Sequence, residues 1–548
     1  MADINKVPST NRPHSDQEDQ PAVAPSVEIG GDVRDANVIV GDGNQVNTTI
    51  NRVRNVTTNI IKSARPRDYI IYTSIFLLLL SAIGYLFWYN NLRYDRAIAS
   101  GRLNVLVVPF VEKHAWGYGK SDIGWSLAQI FTDGVKKSFG ESGIDADVKI
   151  LGPSDRVPTI FGFNENQLTH SAETVSEKIG GQVVIYGVIS QDEYGDSVVQ
   201  VKFYISPTNF GEAQDLISDS VVGDLSLGSF VLTGSTVSGA DLLAQNKELR
   251  DRLEIFSSII NFLGAYIGED FTRAQDYIAK AGDPGLWNNT SGLEVVDLLK
   301  GNLELRRART FLVQKDLPEG QKSIDLARTY FNNALDTSLK NAKGHYARAY
   351  LGLAGVESLA AVAKTQVTGD VSAIDTAALE KVLELLSTAE QADYTPETAD
   401  VTVKVNYSKA QVNLAYFAKT GDAGYLNEAQ KYYQLVVAEF EKTGNQRIAD
   451  FATLSHTGLG HIAAQRNQVD EAVKNFQAAY KLTSNPSLKV QCLVNIGDIY
   501  FTHKDYARAL DSYRSALARK NDLEKAISQE KITEIQQRID SIQAGGQL

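Results

Sequence analysis

Apolar positions change their spacing several times along the chain, and each change marks a candidate element. Residues 1–26 combine Pro, Ser, Asp, Gln and Glu with almost no large apolar side chain. Such a segment cannot bury enough surface to offset the entropy of ordering, so it is expected to be disordered. From Val27 to Ile61 short β-branched runs alternate with Gly-Asp, Asp-Ala-Asn and Gly-Asp-Gly-Asn turn signals, which predicts small strands. The alternative is a polar spacer rich in β-branched residues. Tyr69–Tyr89 (YIIYTSIFLLLLSAIGYLFWY) is 21 residues without a charge, matching a hydrocarbon core of about 30 Å at about 1.5 Å rise per residue. Tyr69 and Tyr72 at one end, and Tyr85, Trp88 and Tyr89 at the other, put amphipathic rings at headgroup depth. One transmembrane helix is therefore expected. A cleaved signal peptide would carry a shorter apolar region nearer the N-terminus.

Residues 101–235 read as an α/β domain. Leu103–Phe110 (LNVLVVPF) has the continuous apolar run of a buried strand, and Ile123–Phe139 is amphipathic at helical period. A strand at Val148–Leu151, a helix at Leu168–Ile179, and strands at Gln182–Ile189 and Ser197–Ile205 follow. The order β-α-β-α-β-β fits a small sheet with helices on one or both faces. Between the first strand and helix stands His114–Ser121 (HAWGYGKS), which ends in the Gly119-Lys120-Ser121 tail of a phosphate-binding loop. His114 occupies the first glycine position, where a side chain obstructs the tight turn that wraps a phosphate. The segment is expected to be a polar loop capping the sheet.

From residue 248 to 523 the pattern is almost purely helical, with Ala recurring at close-contact positions. Counting from Val490, Leu493, Ile496, Gly497, Tyr500, Ala509, Tyr513 and Ala516 fall at positions 4, 7, 8, 11, 20, 24 and 27. Counting from Thr453, Leu459, Gly460, Ala472, Phe476 and Ala479 take positions 7, 8, 20, 24 and 27. This spacing resembles the tetratricopeptide repeat. Small residues at 8, 20 and 27 let two helices approach, and the bulky residue at 24 fills the gap between adjacent pairs. Upstream, Leu414, Ala415, Ala429, Tyr433 and Val436 repeat the pattern with a longer turn; Ala327, Phe331 and Ala334, and then Ala274, Ile278 and Ala281, suggest further second helices. Five or six units are expected. Residues 524–548 form a capping helix and tail, with a coiled-coil seam as the alternative.

Two further resemblances concern the N-terminal half. Gly31, Asp32, Val33, Asn37, Gly41, Asp42, Asn44 and Val46 match a G-D-V-x-x-x-N-x-x-x-G-D-x-N-x-V motif found near the N-termini of bacterial proteins that carry signalling or repeat modules. A strip so narrow is stable only when stacked on itself or on another copy, making residues 27–61 a candidate for homo-oligomerisation. VLVVPF (Val105–Phe110), IGWSLAQIFTDGV (Ile123–Val135), VKILGPSDRV (Val148–Val157), AETVSEKIGGQVVIYGVI (Ala172–Ile189) and VVQVKFYIS (Val198–Ser206) resemble the amino-terminal domain of TolB-type proteins. That resemblance implies a binding or assembly module.

Charge and composition narrow the function. Ten Lys/Arg and ten Asp/Glu occupy the first hundred residues, so the formal charge of −12 belongs to the remainder, which argues against a nucleic-acid surface. Cys492 is the single cysteine, which excludes an intrachain disulfide and a Cys-rich metal site and reads as a small buried apolar residue. No H-E-x-x-H, G-x-S-x-G or dinucleotide fingerprint occurs, and His456 and His461 are five apart, off the shared face that ligands at i, i+4 require. Neither enzymatic activity nor a cofactor or metal is expected. Arg52, Arg54, Lys62, Arg65 and Arg67 precede the apolar stretch, against Arg93, Arg96 and Arg102 after it, which places the N-terminus in the cytoplasm and the later domains outside.

Repeat arrays of the tetratricopeptide kind hold peptides or partner proteins on an inner surface lined by first helices. That resemblance assigns partner contact to Lys409, Asn413 and Tyr416, then to His461 and Gln465, then to Asn495 and Asp498; the alternative is a solvated polar face. The overall expectation is a multi-domain fold comprising a short β-rich N-terminal segment, one transmembrane helix, an α/β domain and an all-α solenoid. The expected function is a membrane-anchored protein-interaction scaffold or receptor. A ligand-sensing signalling protein, relaying from the α/β domain through the membrane helix, is the alternative.

Overall fold

Leu103 to Val111 is an unbroken run of buried residues, and Pro109 divides it. Lacking an N–H, Pro109 cannot extend a ladder, so the strand expected over Leu103–Phe110 ends early as β1 (Leu103–Val107), and a second strand, β2 (Val111–His114), starts just beyond it. The computed structural model describes residues 103–144, 148–206, 223–232, 239–287, 292–340, 347–392, 401–445, 448–483, 485–519 and 529–544. All lie in one unit, Trp88–Leu548.

β1 and β2 lie in succession along the same edge of β5 (Val183–Gln191), both parallel to it: Val105 pairs with Val183, and Val111 with Val188. Opposite the break, Gly187 is bare because a Cβ there would come within 2.4 Å of the Phe110 ring. β4 (Val148–Leu151) flanks β1 in parallel, while β6 (Ser197–Ile205) and β7 (Gly223–Leu232) complete an antiparallel meander beyond β5. The phosphate-loop-like string is not the loop expected from its sequence. Gly117–Lys120 forms β3, which hairpins back on β2 with Glu112 opposite Gly119 and Lys113 opposite Tyr118. Its backbone serves the ladder rather than a phosphate cradle, and the Ser121 hydroxyl accepts from Gly124 N to cap helix α1 (Asp122–Glu141).

Helix α2 (Glu165–Ile179) covers one face of the sheet through Leu168, Ala172, Val175 and Ile179, packed on Leu106, Val184 and Tyr186. The other face meets α1 and, after a short α3 (Gly239–Gln245), the long α4 (Lys247–Ile267). α4 is the first helix of the solenoid, yet its side chains sit in the sheet's core. Phe256 packs edge-on to Phe131 of α1 at 5.4 Å and to Phe203 of β6 at 5.8 Å. Phe139 lies where a Cβ on Gly264 would clash at 2.9 Å, and Leu253 fills the space beside Gly134. The α/β layer and the first helix pair therefore share one hydrophobic core.

Six helix pairs follow one another: α4 with α5 (Phe271–Ala281); α6 (Leu293–Val313) with α7 (Leu317–Lys340); α8 (Ala347–Thr368) with α9 (Thr376–Gln391); α10 (Val401–Thr420) with α11 (Ala423–Thr443); α12 (Ala449–Gln465) with α13 (Val469–Leu482); and α14 (Pro486–Thr502) with α15 (Tyr506–Leu517). Each turn within a pair places one residue in the left-handed region: Glu269, Lys315, Gly369, Gly421, Asn467 and Lys504. In five of the six the next residue is an Asp; in four its carboxylate accepts a backbone N–H of the second helix's first turn, as Asp270 does from Arg273 N, while Asp370 caps a short 3-10 turn and Asp375 caps α9. A large ring on the second helix wedges against bare glycines of first helices. Phe331 faces Gly301 and Gly352, Tyr433 faces Gly458, Phe476 faces Gly460 and Tyr513 faces Gly497, where added Cβ atoms would approach within 2.3 to 2.9 Å. Phe476 with Gly460 and Tyr513 with Gly497 join positions 24 and 8 of the two units read from the sequence. The terminal helix α16 (Gln529–Gln543) buries Ile535 and Ile539 against the last pair, in the manner of a cap.

The expected fold class needs one correction. Among the described residues no helix is long and apolar enough to cross a membrane, and the architecture they form is a predominantly helical solenoid joined to an α/β layer. The stretch Tyr69–Tyr89 on which that expectation rested, together with segments 1–26 and 27–61, lies outside the described residues.

Candidate functional site

The first helices of the pairs carry buried polar groups that packing alone does not require. Side-chain atoms without a hydrogen-bond partner include Asn261 Oδ1 on α4, both amide atoms of Asn302 and Oε2 of Glu304 on α6, Thr365 Oγ1 on α8, Ser455 Oγ on α12 and Asn495 Nδ2 on α14. Among the described residues, no second helix carries such an atom. A buried donor or acceptor left unpaired costs about 1–3 kcal/mol, so such groups call for water or a ligand. Sequence reasoning missed Asn302, which is fully buried; its signal was an amide amid the apolar run of α6.

The residues assigned to partner contact fall into two groups. In the fourth pair they are engaged within the chain. Lys409 Nζ lies 2.8 Å from Glu390 Oε2, Asn413 Nδ2 donates to the Lys409 carbonyl at 2.8 Å, and Tyr416 stacks on Tyr425 with centroids 4.9 Å apart while its hydroxyl donates to Thr376 O. The same pair closes another polar network, in which Gln411 Nε2 donates to the hydroxyls of Tyr407 and Tyr433. Burial pushes the Tyr407 hydroxyl up to about 12.

Asp498 is likewise taken up. Its Oδ1 accepts from Tyr513 OH at 2.6 Å and from Arg538, and its Oδ2 lies 3.1 Å from Lys531 Nζ. Both cations come from α16, so the capping helix holds this carboxylate. Desolvation and the Asp498 carboxylate together raise the Tyr513 hydroxyl far above its usual range.

His461, Gln465 and Asn495 remain. His461, an exposed residue, sets its ring edge-on to Phe476 at 5.0 Å, and desolvation on that side lowers the imidazole below its ordinary range. Gln465 is exposed one turn further along α12. Among the described residues neither finds a side-chain hydrogen-bond partner, and Asn495 keeps an unpaired amide nitrogen. Cys492, on α14, is fully buried and its thiol is pushed up to about 11 by desolvation; it packs rather than reacts. No group of three His, Cys, Asp or Glu among the described residues is placed to hold a metal.

A family model for the tetratricopeptide repeat matches residues 450–522. The last two helix pairs are tetratricopeptide repeats. A search of curated proteins finds no match. Among solved structures, the crystal structure of a Rap protein complexed with competence and sporulation factor is similar at 15% identity, covering 56% of this chain and 83% of that one, with a TM-score of 0.29; a score that low carries no argument. The tetratricopeptide match includes the helices that carry His461, Gln465 and Asn495.

Proposed function

We propose that this chain is a non-enzymatic protein-interaction scaffold whose tetratricopeptide repeats grip an extended peptide segment of a partner protein. The observation that carries this reading is the set of polar groups on α12 and α14, His461, Gln465 and Asn495, that leave hydrogen-bonding capacity unused among the described residues. An imidazole and two amides match the donors and acceptors of a peptide backbone. Lys409 and Asp498, each already paired, serve the array itself.

A display library of random dodecamer peptides, selected on the full-length protein, tests this. Asn495→Ala and Gln465→Ala each remove a desolvated hydrogen bond worth about 1–3 kcal/mol, weakening a selected peptide roughly five- to hundredfold. Melting should be unchanged for exposed Gln465. If no peptide is enriched, or every enriched peptide binds both variants as it binds the wild type, the reading fails and the repeats are a rigid spacer.

A further inference from the structure

The β2–β3 hairpin, the segment 161–163 and one face of α2 line a groove of about 670 Å³ that the repeats do not explain. Its walls are aromatic and turned to solvent: Trp116 is 91% exposed, Phe163 80% and Phe161 54%. Large rings standing together in water mark a binding surface. The rings are set on a fixed base. Tyr118 N donates to Gly162 O at 2.9 Å, and the chains approach so closely that a Cβ on Gly117 would lie 2.9 Å from that oxygen. Gln167 Oε1 accepts from Phe163 N at 2.7 Å and Ser171 Oγ accepts from Phe161 N at 3.2 Å, so the backbone beneath the two Phe rings is tied to α2.

Those bonds also decide what the groove can hold. The Thr174 hydroxyl donates to His170 O, and His170 Nδ1 faces Glu173 Oε2 at 3.2 Å. Gln167 Oε1, Ser171 Oγ, the Thr174 hydroxyl and His170 Nδ1 are thus turned to internal partners, and the groove offers mainly rings, which disfavours a sugar. No Asp, Glu, Lys or Arg lines it. Charge stands just outside: β2 runs parallel to β5 with Glu112 opposite Ile189, so the β5–β6 turn lies at the hairpin's end of the sheet. There Asp192, Glu193 and Asp196 outnumber Lys113. An anionic lipid surface would be repelled by that turn, and a basic residue attracted.

We propose that this groove binds a proline-rich peptide segment in the polyproline II conformation, with a basic residue flanking the prolines. Such a helix presents apolar rings at about 3.1 Å per residue, has no backbone donors at its prolines to leave unpaired, and loses little entropy on docking between aromatic side chains. The site lies on the α/β layer, and its failure would leave the reading of the repeats intact.

The test is calorimetric titration of the full-length protein with a decaproline peptide ending in arginine. A Gly-Ser decapeptide with the same arginine, cellohexaose and phosphatidylcholine vesicles serve as the other probes. Trp116→Ala and Phe163→Ala remove exposed rings, so both variants should melt with the wild type. The proline peptide is expected to bind saturably and each variant to weaken it roughly tenfold. Absence of binding, equal binding by both variants, equal binding of the Gly-Ser peptide, or uptake of cellohexaose or vesicles in its place would overturn the proposal.

Discussion

Phe256 lies on a solenoid helix but belongs to the sheet's core, which gives Phe256→Ala a reach beyond its own repeat. The ring is 1% exposed and meets Phe131 and Phe203 edge-on. Deleting such a ring leaves a cavity as well as losing burial, a loss of about 3–5 kcal/mol. That is a large fraction of the roughly 5–15 kcal/mol margin of a folded domain. In a repeat array, stability is a sum over neighbours, so damage at one pair decays along the stack. Hydrogen exchange followed by mass spectrometry resolves both effects. Peptides from β5 and β6 and from α4 should all exchange faster, by roughly a hundredfold for a loss near 3 kcal/mol, while those from α12 to α15 keep their protection. Phe476→Ala should show the opposite distribution. If Phe256→Ala loosens α4 and leaves the sheet's protection unchanged, the shared core is not one cooperative unit and the reasoning is wrong.

Desolvation raises the Asp450 carboxyl from its usual 3.8 to about 6. A carboxyl raised on folding stays protonated in the native state while the unfolded chain ionises, so stability falls as pH rises from about 4 to about 6 and is level above that. Asp450→Asn should therefore melt with the wild type near pH 4 and higher than it at pH 7.5, by at most about 3 kcal/mol; a difference independent of pH would refute this. Gly497→Ala sets a Cβ 2.5 Å from the Tyr513 ring and should lower the melting temperature, overpacking at about 1–3 kcal/mol exceeding a helix-propensity gain near 1 kcal/mol. Gly355→Ala, whose Cβ meets nothing closer than 3.7 Å, should raise it, and equal shifts for the two variants would show that the close approach does not govern.

The α/β elements were legible because each alternates or repeats locally: the helix expected at Ile123–Phe139 spans Asp122–Glu141, and the strand at Val148–Leu151 is found there. Legibility of the repeats depended on their length. Successive left-handed turn residues stand 46 (315 minus 269), 54, 52, 46 and then 37 residues apart. Only the last interval is near the 34-residue spacing used to find the pattern, so the longer upstream units blurred. The left-handed residue followed by Asp was a sequence signal common to five turns, and it is visible once turn chemistry is read beside hydrophobic spacing.

What the sequence by itself determined are the features that depend on neighbours within a few turns: helix and strand periods, and the small and bulky positions of the last two repeats. The tertiary structure decided which polar residues are free. Asp498 and Asn495 read alike as polar positions on one helix, but Asp498 is claimed by Arg538, 40 residues away, while Asn495 keeps its amide nitrogen unpaired. It also decided that Gly119 and Lys120 belong to a hairpin and that Phe256 packs against Phe131, 125 residues earlier. Burial and pairing across such separations depend on where the chain returns in space, and spacing along the sequence does not encode that return.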